Sequence, residues 1–339
     1  MCKRILVSQT NTEDGVPFYK IGTIGSTPDA YISKELFDDY KVKYNYPRKG
    51  EVMITCAGTV GKCVVYDGED AYFQDSNIVW IDNPTQYISN GFLFHLLSKV
   101  DWRKLNSTTI IRIYNDDLRN LKMSYPRKEE QQKISHLLSL LDERIATQNK
   151  IIEKYKSLIK GLRVCCMQRV YGNNVHLSEI AQIYQPQTIS STELTEDGFL
   201  VYGANGIIGK YKDYNHETEQ ICITCRGNTC GMVNYTKPMS WITGNAMVIN
   251  TDKYQDKVYK RYLYHYLSAY NFNSIISGSG QPQIVRTPLE KLKITLPTIS
   301  EQKQKAMILD KIQNKIDTNH KELNLYVRQK QYLLRQMFI

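Results

Sequence analysis

The passage GSGQPQIVRTPLEKLKITLPTISEQ, residues 278–302, has a fainter copy earlier in the chain, TTIIRIYNDDLRNLKMSYPRKEEQ, residues 108–131. At an offset of 171 residues Leu118 pairs with Leu289, Leu121 with Leu292, Lys122 with Lys293, Pro126 with Pro297, and Glu130-Gln131 with Glu301-Gln302. The echo continues upstream, where MITCAGTVG (53–61) answers CITCRGNTCG (222–231), DSNIVWI (75–81) answers TGNAMVI (243–249), and GFLFHLL answers RYLYHYL. A period of about 170 residues is far longer than a solenoid unit. The chain is therefore a tandem duplication of a domain-sized module, and whatever fold it adopts it must adopt twice. Two copies of one module predict a molecule with pseudo-two-fold symmetry.

Each copy changes character at its proline. Before it, short apolar runs bounded by Gly, Asn and Asp, such as KCVVYDGEDAYF and GIIGKYKDY, read as strands and turns, with one short helix near 88–100 and another near 256–270. After Pro126 and Pro297 the pattern becomes helical, with acidic and Gln residues in the first turn. Apolar residues then recur at Ile134, Leu138, Leu141, Ile145, Ile152, Tyr155, Ile159 and Leu162, and in the second copy at Leu309, Ile312, Ile316, Leu323, Tyr326, Leu333 and Met337. Steps of four and three residues make a heptad seam, interrupted once by Lys330. An ordinary apolar stripe would suffice for a helix lying on its own domain, so the seam favours a helix pair. Helices of about 40 residues would be roughly 60 Å long.

The fold class expected is α+β: two mixed α/β modules, each followed by a long helix, with the two helices paired as an antiparallel coiled coil. The boundaries read as 1–125 and 169–296 for the modules and 126–168 and 297–339 for the helices. Each seam has a polar gap at an equivalent place, Gln148 and Asn319. In an antiparallel pair the two midpoints meet, so these side chains are expected to approach each other and fix register.

Charge and cysteine usage narrow the function. The net charge is +10, but residues 1–125 carry 15 basic and 15 acidic side chains and 171–296 carry 11 and 10. The excess sits in the helices, with 10 basic against 5 acidic in 126–170 and 8 against 4 in 297–339. Modules without excess charge bind nucleic acid weakly by phosphate contacts alone. Cys222 and Cys225 form one CxxC, yet no second pair follows at a zinc spacing, and with Cys56 and Cys63 they fall in strand-like runs. They read as buried, reduced thiols, with no metal. No apolar run approaches the ~18 residues that span a bilayer, and MCKRILVSQTNTEDG lacks the features of a signal peptide. The expected location is the cytoplasm.

Two enzyme readings fail on chemistry. An amino-methylating enzyme needs a Pro-Pro-aromatic loop for the flipped base and a Gly-rich loop for its methyl donor; the nearest match, DNPTQY (82–87), lacks the second proline. A metal nuclease needs carboxylates and a lysine converging from adjacent strands. Pro28-Asp29 and Asp39-Tyr40-Lys41 fit that pattern loosely, but PDAYISKELFDDYKVK reads as a surface loop with a short helix.

The chain resembles the DNA specificity subunits of type I restriction-modification systems. The resemblance rests on the repeat, on LEKLKITLPTISEQ with its copy LRNLKMSYPRKEEQ, on the long helices, and on PFYKIGTIG, ISGSGQPQI and GEDAYFQDSNIVWI. It implies two target recognition domains, each reading one half of a split double-stranded DNA site, and an antiparallel helical spacer. Two copies of a modification subunit would dock on that spacer and methylate adenine, and separate restriction-translocase subunits would cut. S-adenosylmethionine and ATP would bind those partners, leaving this chain non-catalytic and without a cofactor of its own. A spacer of roughly 60 Å bounds the separation of the reading heads at about 17 base pairs, with one turn of ~10 favoured.

Candidate DNA-reading residues lie in loops. Arg226, Asn228 and Thr229 follow the strand ICITC, where arginine and asparagine suit guanine and adenine edges. The matching loop of the first copy offers Thr59 and Lys62. YGANGIIGKY adds Tyr202, Asn205, Lys210 and Tyr211, and YKIGTIG adds Tyr19, Lys20 and Thr23. SGSGQPQIVR offers Gln281, Gln283 and Arg286 as a further candidate set, but because its counterpart is NSTTIIRI with Arg112 the shared part reads as scaffold, and Asn77 and Asn245 read as side chains bonding local backbone. One departure stands out: the second module opens with about 25 residues before Asp197-Gly198, and the first has 13 before Asp14-Gly15. The first module thus reads as short at its N-terminus. Two readings stay open beside the main one: a truncated or silent specificity variant, and a non-DNA scaffold with two binding modules on a strut.

Overall fold

The computed structural model describes residues 1–74, 77–104, 112–168, 170–278 and 280–338. Parts of the repeated passages, Asp75 in DSNIVWI, residues 108–111 and Ser279, lie outside the described residues. The chain divides into two compact units, Met1–Gln148 with Glu322–Ile339, and Asn149–Lys321. Each unit therefore holds one module and a stretch of both long helices.

In unit 1, strands β1 (Thr10–Asn11), β2 (Val16–Tyr19) and β3 (Tyr31–Ile32) lead to helix α1 (Lys34–Lys43), and strands β4 (Val52–Thr55), β5 (Cys63–Val65), β6 (Tyr72–Phe73) and β7 (Ile78–Ile81) follow. They form two sheets. One runs β1-β3-β2-β6, with β2 parallel to β6; the other runs β5-β4-β7 and is antiparallel throughout. Helix α2 (Asn90–Lys99), capped by the Ser89 hydroxyl, covers the second sheet, and α3 (Asn115–Arg119) precedes the 41-residue helix α4 (Lys128–Gln168). The apolar face of α2 explains its place: Phe92, Leu93, Leu96 and Leu97 join Val52, Ile54 and Val79 in one core.

Unit 2 opens with β8 (Asn173–His176) and β9 (Gln182–Tyr184) and then repeats the plan with β10 (Phe199–Gly203), β11 (Gly206–Tyr211), β12 (Ile221–Thr224), β13 (Val233–Tyr235), β14 (Ser240–Ile242) and β15 (Ala246–Asn250). Helix α5 (Lys260–Ala269), helix α6 (Arg286–Glu290) and β16 (Lys293–Leu296) lead into the 39-residue helix α7 (Ile299–Met337). As in unit 1 one sheet holds a parallel pair and the other is antiparallel, but the strand numbers are reversed: three in β11-β10-β14 and four in β13-β12-β15-β9. The doubled Asp-Gly has a backbone reason. Gly15 and Gly198 sit at φ +125 and +126, and a Cβ would lie 2.4 Å and 2.2 Å from the carbonyl oxygens of Ile32 and Tyr211.

The doubled Gln at the start of each long helix is a clamp. Gln131 accepts from the Ser89 N–H (2.8 Å) and donates to the Tyr87 and Pro126 carbonyls (3.0 and 2.9 Å). Gln302 accepts from the Tyr259 N–H (2.8 Å) and donates to the Lys257 and Pro297 carbonyls (3.2 and 2.9 Å). Both side chains are buried, at 1% and 0% exposure. Each ties the first turn of its long helix to the segment that starts the short one. Helix α7 is further capped by a reciprocal pair, Thr298 with Glu301.

Within each unit the long helices run side by side in opposite directions. In unit 1 Asp142 pairs with Lys330, Arg144 donates to the Tyr326 hydroxyl (3.1 Å) and Gln148 to Glu322 (3.0 Å), so one helix descends as the other rises. The lysine that interrupts the apolar seam is thus matched by an aspartate. Leu138 and Ile134 pack with Leu333, Met337 and Phe338 and also on the α2 core, so the seam serves the module as well as the helix pair. In unit 2 Ile159, Leu309 and Ile316 form the seam with Tyr155, Leu162 and Ile312.

The cysteines behave as core residues. Cys56, Cys222 and Cys225 are buried, and burial pushes the Cys222 thiol up to about 12. The Cys225 thiol donates to the Gly244 and Asn245 carbonyls. The loose nuclease pattern is dispersed: Asp29 pairs with Lys20, while Asp39 and Lys41 ride on α1 and pair with Lys43 and Asp70.

Candidate nucleic-acid interface

In unit 2 the loop after β12 is held from below and free above. Below, Thr224 donates its hydroxyl to the Ala204 carbonyl, and the Gly231 N–H returns to the Thr224 carbonyl (2.9 Å). The Ile284 N–H reaches the Cys225 carbonyl (3.0 Å) and the Gly227 N–H the Pro282 carbonyl (3.0 Å), which lays the 277–283 hairpin against the loop. Above, Arg226 and Asn228 are exposed. Among the described residues no carboxylate pairs with Arg226. The Thr229 hydroxyl donates to the Asn205 side-chain oxygen (2.6 Å), joining this loop to the β10–β11 turn. Arg226, Asn228, Thr229 and Asn205 thus form one surface, and Gln281, also exposed, belongs to the hairpin beside it.

Unit 1 builds the same platform from different residues. The Gly61 N–H returns to the Thr55 carbonyl (2.8 Å), the Thr55 hydroxyl donates to the Thr59 carbonyl, and the Ile113 N–H reaches the Cys56 carbonyl (2.9 Å) as Ile284 does for Cys225. The ammonium of Lys62 donates to the Ile24 carbonyl, tying the β4–β5 loop to the turn at Lys20–Thr23 as Thr229 ties to Asn205. Thr59 is exposed at the tip.

The other predicted residues are placed unevenly. Tyr202 is 5% exposed, packs with Cys222, Ile242 and Val248, and accepts from the Lys237 N–H (3.2 Å). It is a core residue, which corrects its assignment as a reader: an inward position on a buried strand outweighs an aromatic type that suits DNA. Lys20 pairs with Asp29 (2.9 Å) and Lys210 with Asp197 (3.2 Å). Thr23 caps its own turn through the Lys20 N–H (3.0 Å). Tyr19 stacks on Phe73 with centroids 6.0 Å apart, and Tyr211 meets Trp241 edge-on at 5.0 Å. Asn77 and Asn245 share a backbone role, their carbonyls accepting from the Cys56 and Cys225 N–H groups (2.8 and 3.1 Å), so the repeat there is carried by the main chain. The hairpin at Gln281 was legible only as scaffold. Its approach to Arg226 depends on a main-chain pairing that side-chain identity does not announce.

Gln148 and Asn319 belong to different units. Within unit 1 Gln148 is buried and bonded to Glu322, and within unit 2 Asn319 donates to the Lys315 carbonyl (2.6 Å).

The two platforms share one main-chain design and present different exposed side chains. The chain matches the family described as "Type I restriction modification DNA specificity domain" over residues 1–156 and again over 173–325. The chain belongs to this family. A putative type I restriction enzyme specificity subunit from Haemophilus influenzae is 50% identical over 153 residues, which is 45% of this chain and 39% of that protein. The Escherichia coli EcoprrI specificity subunit is 32% identical over 147 residues, 42% of this chain and 36% of that one. These matches span less than half the length of either relative. A putative specificity subunit from Methanocaldococcus jannaschii is 24% identical over 94% of this chain and 85% of its own. Among solved structures, the S subunit of a type I restriction-modification system from M. genitalium shares the fold, with a TM-score of 0.70 at 17% identity, covering 100% of this chain and 92% of that one. Among the described residues of this family member, no helix is long and apolar enough to cross a membrane.

Proposed function

We propose that the chain is the sequence-reading subunit of a type I restriction-modification assembly, with each module reading one half of a split double-stranded DNA site. The observation that carries this is the pair of matched platforms. Two main-chain hydrogen bonds, Gly61 to Thr55 and Ile113 to Cys56, repeat as Gly231 to Thr224 and Ile284 to Cys225, while the exposed residues are Thr59 beside the tethered Lys62 in one and Arg226 and Asn228 in the other. Arg226 suits the O6 and N7 acceptors of guanine, and Asn228 suits the N6–H donor and N7 acceptor of adenine.

The two long helices act as the spacer, with Gln148 and Asn319 setting their register. Modification subunits, two per chain, dock there and methylate adenine with S-adenosylmethionine; restriction-translocase subunits use ATP and cut. This chain performs no catalytic step and works in the cytoplasm. Because the modules carry no excess positive charge, the isolated chain binds DNA weakly and gains affinity from its partners. Nanomolar binding by the isolated chain at physiological salt would contradict that point.

The reading is tested by mapping methylated adenines across the genome with and without the gene. A bipartite motif with an unread gap, lost on deletion, is the expected result. An unchanged methylation map would remove the proposal.

A further inference from the structure

The positive excess of the chain lies in its long helices, and in unit 2 part of it gathers at one end of the module. Helix α7 runs alongside α5 in the same direction. The Tyr259 N–H at the start of α5 meets Gln302, Arg261 pairs with Asp310, and the last turn, Ser268 and Ala269, reaches the level of Gln313 to His320. Helix α4 runs antiparallel to both, and the three elements enclose an open cleft of about 520 Å³. This is the end of α5 that meets the loop after β12. Phe272 follows α5 by three residues, and a Cβ at Gly231, where that loop closes, would lie 3.4 Å from the Phe272 Cβ.

In the cleft Lys156, Lys160 and Arg163 share one face of α4, at steps of four and three, against a single carboxylate, Asp317. Asp317 accepts from the Gln313 amide (3.1 Å), and Lys156 pairs with Glu153 (2.9 Å). Arg163 is held by neutral groups: its Nε donates to His265 (3.2 Å), and its Nη2 to the Gln313 oxygen (3.4 Å) and the Tyr264 hydroxyl (3.5 Å). The carboxylate of Asp310 is taken by Arg261 and His265. Among the described residues no carboxylate pairs with Arg163 or Lys160, and Lys160 is exposed. A half-buried guanidinium oriented by neutral partners keeps its charge for an anion, and its planar fork matches the oxygens of a phosphate.

We propose that this cleft grips a phosphate of the DNA backbone beside the half-site that unit 2 reads, with Lys160 and Arg163 as the contacts and Lys156 at the rim. The inference rests on the DNA-reading function proposed above and gives it a division of labour. The module, with 11 basic and 10 acidic side chains, presents groups that read bases, and the helix supplies the charge that phosphate binding needs. Three cations would also suit an acidic segment of a partner protein; their position at the reading-loop end of α5 favours DNA.

The test uses the complex assembled with its modification subunits and two duplexes of equal length, one carrying the motif found by methylation mapping and one unrelated. Lys160→Gln should weaken binding to both by the same factor, about three- to tenfold, and reduce the slope of log K against log salt by about one, with the methylated motif unchanged. Lys160 is exposed, so the variant should keep the parent melting curve, which is measured alongside. A neutral methylphosphonate placed at successive backbone positions locates the contact: at one position it should weaken the parent complex and leave Lys160→Gln unaffected. An unchanged salt slope, a motif altered by Lys160→Gln, or loss of the modification subunit from the variant complex without DNA would each overturn the proposal, the last by giving the cleft to an acidic partner. If the parent complex binds its motif and the variant matches it, the cleft assignment alone fails. If the parent shows no preference for a split site, the reading function fails and the cleft assignment with it.

Discussion

The two modules share a scaffold and differ in how completely it is closed. Leu292 is 4% exposed beneath β8, whereas Leu121, its counterpart, faces a groove. The clamps at Gln131 and Gln302, in contrast, agree bond for bond. The contrast teaches that the junction between module and helix is the same in both copies while the outer layer and the loops after β4 and β12 differ.

The largest expected effect separates closed from open. Leu292→Ala should cost about 2–5 kcal/mol, the range for a leucine removed from a packed core, and Leu121→Ala less than half of that. Denaturant unfolding of the intact chain, with site-resolved hydrogen exchange to tell the units apart, measures both. Equal losses would mean that the groove is closed in solution.

The clamps give the opposite expectation. Gln131→Ala and Gln302→Ala each free one N–H and two carbonyls in a largely part-buried setting, so each should cost about 1–3 kcal/mol in its own unit. A difference of more than about twofold would show that the junctions are not equivalent.

The smallest effect concerns the paired histidines of the short helices. Burial pulls the His95 pKa below its ordinary value, with Lys330 adding to the shift and Asp142 opposing it. Burial also lowers that of His265, but Asp310, at 2.8 Å, pushes back. Arg163 donates to the other ring nitrogen of His265 (3.2 Å), which holds the ring neutral with its proton toward Asp310. A histidine lowered in the folded state binds fewer protons there than in the unfolded chain. Stability should therefore fall as pH drops below about 6.5, by at most about 1.4 kcal/mol per pH unit per group. His95→Gln should flatten that slope more than His265→Gln, because His95 has no carboxylate within hydrogen-bonding distance. The reverse order would contradict the contrast.

Much of this was legible in the sequence. The proline and Glu-Gln of each copy marked the helix starts, and the heptad steps gave helices of the observed length, because periodicity reports burial directly. The different openings of the two copies were visible when the copies were compared, though not that Leu118, Leu121 and Met123 are half-buried where Leu289, Leu292 and Ile294 are buried. The function of the doubled Gln was hidden, since its three partners lie 5 to 45 residues away and are main-chain groups. Tyr202 failed as a reader for a related reason: a strand alternates its faces, and residue type alone does not say which face a tyrosine takes.

The central claim is that each module reads its own half of the DNA site, and methylation mapping of module-specific variants tests it most directly. Arg226→Ala with Asn228→Ala should relax one half of the methylated motif by about 1–3 kcal/mol of discrimination per base and leave the other half intact. Thr59→Ala with Lys62→Met should act on the other half alone. If either pair changes both halves, or if neither changes the motif, the two platforms are not independent readers.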